Sequence, residues 1–191
     1  MEAEILYCRD AAAWRDWLAQ HAAESDGVQL ALAKKGGAHP SVSYAEALDE
    51  ALCVGWIDGR KNRLDDDHFT QNFGPRRARS IWSQINRDKA LALIDSGRMQ
   101  PAGLAEIERA RADGRWERAY AGSKTIEVPD DLADALRSNP AAAGFFATLS
   151  SQNRYAVLFR IGSVKRAETR ARKIADFVAM LERGETLYPQ R

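Results

Sequence analysis

The run from Ser43 to Phe73 constrains this chain more than any other stretch. Ser43 and Glu46 stand in capping-box spacing at a helix start. Ala47, Leu48, Ala51 and Leu52 follow as one apolar stripe of helical period, and Gly55 supplies the stop. Two alternating segments come directly after it, "WIDGRKNRL" and "HFTQNF", joined by Asp65-Asp66-Asp67. In the second, Phe69, Gln71 and Phe73 share one face and His68, Thr70 and Asn72 the other. Strands joined by so short a charged link are most simply an antiparallel hairpin.

The flanking sequence extends this core. "VQLALAKKGG" alternates Val28, Leu30 and Leu32 against Gln29, Ala31 and Ala33, a strand pattern stopped by Gly36-Gly37. "AEILY" reads as a short strand, after which Asp10 caps a helix carrying Trp14, Trp17, Leu18 and His21 on one face. Beyond residue 80 the periodicity is helical. "SQINRDKALALIDSG" ends at Gly97, and "QPAGLAEIERARADG" has Pro101 near its start and Gly114 after its end. Pro129 and Pro140 suit first helical turns, with Asn139 as a cap. The last helix carries Ile174, Phe177, Val178 and Leu181 as its apolar stripe and stops at Gly184. The expected fold is α+β: a small antiparallel β-sheet with flanking helices, followed by a helical C-terminal part. The expected division is an α+β domain over 1–122 and a helical segment over 123–191.

Length and charge narrow the function classes. A chain of 191 residues, 45% apolar and 29% charged, can bury a sizeable core. Its formal net charge of +1 gives no whole-molecule pull toward nucleic acid or anionic membrane. Cys8 and Cys53 lie in apolar surroundings and read as free buried thiols, which suits a reducing compartment. The first residues lack a basic n-region and a long apolar h-region, and no apolar run reaches membrane-spanning length. These features lead to an expectation of a cytoplasmic protein without membrane insertion.

The side chains that carry chemistry fall into four groups. Asp65, Asp66, Asp67 and His68 invite a metal reading, but successive strand residues face opposite ways and the EF-hand and zinc spacings are absent. His21, His39 and His68 are far apart in sequence, so no metal and no cofactor is expected. Asp58, inside the otherwise apolar-anchored "GWID", is either part of an Asp–Arg pair or a backbone-bonding aspartate that fixes a strand end, or else a pocket carboxylate acting as ligand contact or base, with His68 as a companion. "PRRARSIWSQINR" places arginines before a helix start, where backbone N–H groups and the helix dipole also favour anions. Arg76, Arg77, Ser80, Trp82 and Asn86 join Asp58 there as ligand-binding candidates for a small anion. Against this, Ser80 or Ser83 can serve as the helix cap and Trp82 can belong to the core. Lys165, Arg166, Arg170, Arg172 and Lys173 form a second basic surface, read either as a solvated helix face or as a phosphate-backbone contact. No nucleophile elbow, Cys–His pair or phosphate loop is present.

Several stretches carry a family resemblance in order and spacing: "LAKKGG", "SYAEALDEALCVGWIDGRKNRLD", "FGPRRARSIWSQINR", "LIDSGRMQPAGLAEIERARADGRW", and the long segment from "VPDDLADALRSNP" to "KRAETRARKI". Together they resemble the YdeI/OmpD-associated proteins, also labelled bacteriocin-protection proteins. The stretch from Val128 to about Leu181 looks like the segment that defines that family. The resemblance implies tolerance of bacteriocins or antimicrobial peptides through association with a porin; joined to the arginine-rich candidates above, it leads to the expectation of a stress-associated protein that binds a small anionic ligand or a protein partner. It brings no catalytic residues with it. Nucleic-acid binding through the basic C-terminal helix and acid/base catalysis by Asp58 are the two alternatives.

Overall fold

The computed structural model describes residues 5–36 and 40–190. Ala3, Glu4, Gly37 and His39, which enter the expectations above, lie outside the described residues. The chain divides into two compact units, Met1–Ala119 and Tyr120–Arg191.

The first unit is built on a four-stranded sheet with the order β1-β2-β4-β3. Its strands are β1 (Ile5–Tyr7), β2 (Val28–Ala33), β3 (Trp56–Arg63) and β4 (His68–Pro75). The expected hairpin is present: β3 and β4 pair antiparallel, with Trp56 opposite Pro75 and Arg63 opposite Phe69. β4 also pairs antiparallel with β2. The sheet is nevertheless mixed, because β1 runs parallel to β2. Helix α1 (Ala11–His21) intervenes as the crossover that a parallel pair requires. Asp10 caps α1 through the Ala13 N–H at 2.8 Å. Ser43 and Glu46 close a capping box on α2 (Tyr44–Cys53). Helices α3 (Gln84–Asp95) and α4 (Pro101–Ala112) complete the unit, α3 being capped by Ser83.

One face of the sheet supplies the core. Leu30 and Phe73 point with Trp56 toward the helices and join Trp14, Leu18, Leu48 and Leu52 in one buried cluster. Two glycines set how closely α2 and α4 approach. Gly55 ends α2 with φ +78, a conformation that suits glycine. A Cβ on Gly103 would stand 2.5 Å from the Cys53 carbonyl oxygen and 2.8 Å from that of Leu52.

An ion cluster binds the same helices together. Glu50 on α2 is only 4% exposed. Arg15 of α1 grips its two oxygens at 2.9 and 2.6 Å, and Arg98, between α3 and α4, adds a bond of 2.7 Å. Burial pushes the Glu50 carboxyl upward, but the hydrogen bonds and charges of Arg15 and then Arg98 outweigh it and hold it below its ordinary value.

The second unit is helical: α5 (Asp130–Arg137), α6 (Pro140–Ala147), α7 (Ser151–Gly162) and α8 (Ala167–Glu182). Asn139 caps α6, as its place before Pro140 leads one to expect. Leu132, Phe146, Leu158, Ile161, Ile174 and Leu181 are part of a separate core. Asn153, 1% exposed, exchanges hydrogen bonds with the Tyr188 backbone and so ties the C-terminal tail to α7.

Two outcomes follow from the α2 contacts. Gly103→Ala should cost about 1–3 kcal/mol, because the Met99 side chain can move aside but the Cys53 and Leu52 backbone carbonyls cannot yield; the urea midpoint should fall with an unchanged slope. Glu50→Gln should cost about 2–3 kcal/mol near neutral pH, less than a fully buried pair because both arginines reach solvent. Since the folded Glu50 value lies below the 4.5 of the free side chain, its stabilisation is complete above that value and is lost as pH falls through the folded one. The gap between wild type and Glu50→Gln in urea unfolding should therefore be wider at about pH 7 than at about pH 3.5.

Candidate functional site

Among the described residues of the first unit, two concavities stand out, and the expected site residues divide between one of them and the core. Asp58, Arg77 and Ser80 line a concavity of about 530 Å³ next to a β-bulge in β3 between Asp58 and Lys61. Arg76 and Trp82 do not line it. Both are buried, at 5% and 2%, with the Arg76 guanidinium stacked 3.5 Å from the Trp82 ring centroid. Trp82 in turn meets Trp116 edge-on at 4.9 Å. Ser83, rather than Ser80, caps α3 through the Asn86 N–H at 3.1 Å. Ser80 closes a turn instead: its hydroxyl accepts the Arg77 N–H at 3.0 Å and its carbonyl accepts Arg115 at 2.7 Å.

Asp58 is half-buried and accepts a hydrogen bond from the Tyr44 hydroxyl at 2.9 Å. It pairs across the hairpin with Phe73 and so shares that residue's face. His68 stands five residues before Phe73 on β4 and faces the other way. The expected companionship of Asp58 and His68 is thereby overturned, since side chains on opposite faces of a sheet cannot work on one substrate atom.

The aspartate triplet forms the hairpin turn. One Asp65 oxygen accepts the Asp67 and His68 N–H groups at 2.8 and 2.6 Å. Desolvation opposes the ionised Asp65, but these donors hold its carboxyl below the usual range. Lys34 clamps the same turn through the Asp65 carbonyl at 2.6 Å. Among the described residues no group of three or more His, Cys, Asp or Glu is placed to hold a metal ion.

The basic C-terminal surface is not one uniform face. Arg170 is engaged inside its own unit, gripping Asp131 at 2.6 and 2.9 Å and the Ile161 carbonyl at 2.9 Å. Lys165, Arg166 and Arg172 are exposed, while Lys173 lies 5.8 Å from the Phe177 ring centroid. Among the described residues no helix is long and apolar enough to cross a membrane.

The larger concavity, about 830 Å³, was not expected. It is formed by α1, the end of α2 and the start of α4, and Glu50, Arg15 and Arg98 line it. Arg15 and Arg98 remain 58% and 43% exposed while Glu50 between them is shut away. Arg98 gives Glu50 only one of its nitrogens, so most of its donor edge is left for another acceptor. Leu18, Ala19, Ala22, Val54, Pro101 and Ala102 provide apolar walls. Cys53 also lines it, but burial pushes its thiol up to about 11, so it stays neutral. The geometry is that of an arginine-headed, apolar-walled receptacle, with Asp16 as a further carboxylate in its lining. One signal for it stands in the sequence: Glu50 occupies position i+3 from Ala47, inside the apolar stripe of α2.

Two family models match the chain. One is described as a domain of unknown function (DUF8412) and covers residues 6–106. The other is described as Bacteriocin-protection, YdeI or OmpD-Associated and covers residues 125–184. No curated protein matches the chain, and no solved structure does. The resemblance carried by Val128 to Leu181 is thus shown for the C-terminal segment, whereas the stretches before it fall under a separate model. The DUF8412 match spans more than half of the chain and includes Arg15, Glu50 and Arg98, so the chain belongs to that family and carries a YdeI/OmpD-associated segment behind it.

Proposed function

We propose that the protein is a binding protein for a small organic anion, seated against Arg98 and Arg15 in the larger concavity of the first unit. One observation carries this reading: two half-exposed guanidiniums converge on a buried carboxylate at the wall of an open, apolar-lined space. Glu50 orients both arginines, and the Arg98 edge that it leaves unused matches a carboxylate or phosphate oxygen pair. The family name of the C-terminal segment supports a role in tolerance of bacteriocins or antimicrobial peptides. In this reading ligand occupancy of the first unit is what serves that role, without catalysis.

Nucleic-acid binding is the weaker reading, because Arg170 already serves its own unit's packing. Asp58, Arg77 and Ser80 remain a second location for the anion, which the following comparison separates from the first. Thermal unfolding of the full chain is followed with acetate, succinate and inorganic phosphate. An anion present at a hundred times its dissociation constant should stabilise the fold by about 2.7 kcal/mol. That gain should vanish in Arg98→Ala and survive in Arg77→Ala. The reverse pattern would move the site to the smaller concavity, and no response to any anion would sink the proposal.

A further inference from the structure

We infer that the anion taken up beside Arg98 is the head of a small amphiphile, a monocarboxylate on an unbranched apolar body of medium length. This rests on the anion-binding reading above and adds the class of ligand.

The lining separates into a charged end and an apolar remainder. Apart from Arg15, Glu50 and Arg98, the polar side chains that line the space are Asp16, Gln100 and the Cys53 thiol. α1 and the residues that follow it contribute Leu18, Ala19, Ala22 and Ala23. Ala19 and Ala23 are exposed, so this wall is apolar yet bare of bulk. Val54, Pro101 and Ala102 continue it from α2 and α4. A purely polar anion would satisfy Arg98 and leave these walls wet. A body that covers them removes apolar surface from water and gains affinity with each methylene. The space of about 830 Å³ admits such a body without rearrangement of the helices.

The charges select the head. A cationic head would meet two guanidiniums. A doubly charged one would place its second charge against the apolar walls or against Asp16. Glu50 is fully engaged, with one oxygen shared by Arg15 and Arg98 and the other held by Arg15. It therefore orients the arginines and is no acceptor for the ligand. A single carboxylate, which an arginine fork recognises through two parallel bonds, fits what remains.

The test is calorimetric titration of the full chain with acetate, butanoate, hexanoate and octanoate, each below its micelle concentration, with octan-1-ol and octylamine as head-group controls. Affinity should rise about two- to fourfold per methylene from butanoate to octanoate, with one site per chain. Octanol and octylamine should bind at least about tenfold more weakly than octanoate. Arg98→Ala should lose the preference for the carboxylate over the alcohol. Ala19→Trp, which fills the space from an exposed helix position and spares the core, should lose the gain with chain length. Equal affinity for acetate and octanoate, both dependent on Arg98, would overturn the amphiphile and leave the anion site standing. Wild-type octanoate binding by Ala19→Trp would overturn its placement. Failure of every carboxylate to bind would remove this proposal, and failure of inorganic phosphate as well would remove the anion site with it.

Discussion

A carboxylate cannot stay ionised at 4% exposure without partners, and Glu50 obtains both of its partners from outside its own helix. That requirement organises the helical side of the first unit. Arg15 must come from α1 and Arg98 from the link between α3 and α4, so three chain segments of very different sequence position meet at one point. The apolar cluster beneath it supplies most of the stabilisation, since burial of Trp14, Leu18 and Leu52 removes large apolar areas from water. That effect is non-directional. The ion cluster adds direction, because a guanidinium fork engages a carboxylate in only a few geometries.

The chain's other arginines show why Arg15 and Arg98 stand apart. Arg76 lies flat on Trp82, Arg115 holds the Ser80 carbonyl and Asp113, and Arg170 closes the end of α7 while gripping Asp131. Each has its guanidinium turned into its own unit, where it satisfies backbone carbonyls or carboxylates that burial would otherwise leave costly. A motif rich in arginine, such as "GPRRARS", thus divides into side chains that build the fold and side chains that face solvent. Sequence spacing does not separate them. A shared carboxylate only 4% exposed does, and it directs attention to a pair of arginines 83 positions apart.

Much of the fold was legible because it rests on local chemistry. The Ser43–Glu46 box, the Asp10 and Asn139 caps and the hairpin around the aspartate turn depend on residues within four positions of one another. The parallel pairing of β1 with β2 was less so, because three residues of strand carry little pattern and the partner is chosen by a crossover helix. The site was read more poorly still. Asp58 and His68 are close in sequence, but the alternation of a strand sends them to opposite faces. Trp82 could be wall or core, and only the stacking of Arg76 and Trp116 against it decides for the core. Glu50 did leave a trace, an acid within an apolar stripe. Its partners left none, since Arg98 sits in a short connector without periodicity.

The same three segments that Glu50 joins also form the walls of the larger concavity, and this links stability to occupancy. A molecule that touches α1, the end of α2 and the start of α4 at once favours the arrangement in which they are assembled. Whatever loosens the Glu50 cluster also misplaces the Arg98 edge, so its loss weakens binding through geometry even where the arginine itself is kept. Ala19 of α1 and Ala23 just beyond it bear no such double duty. Ala19 and Ala23 are exposed and anchor nothing in the core, so the length of the apolar body accepted there can change by substitution without cost to the fold. In the proposed reading, head recognition is therefore tied to the architecture of the unit, while the choice of body is left to a few small side chains at one end of α1.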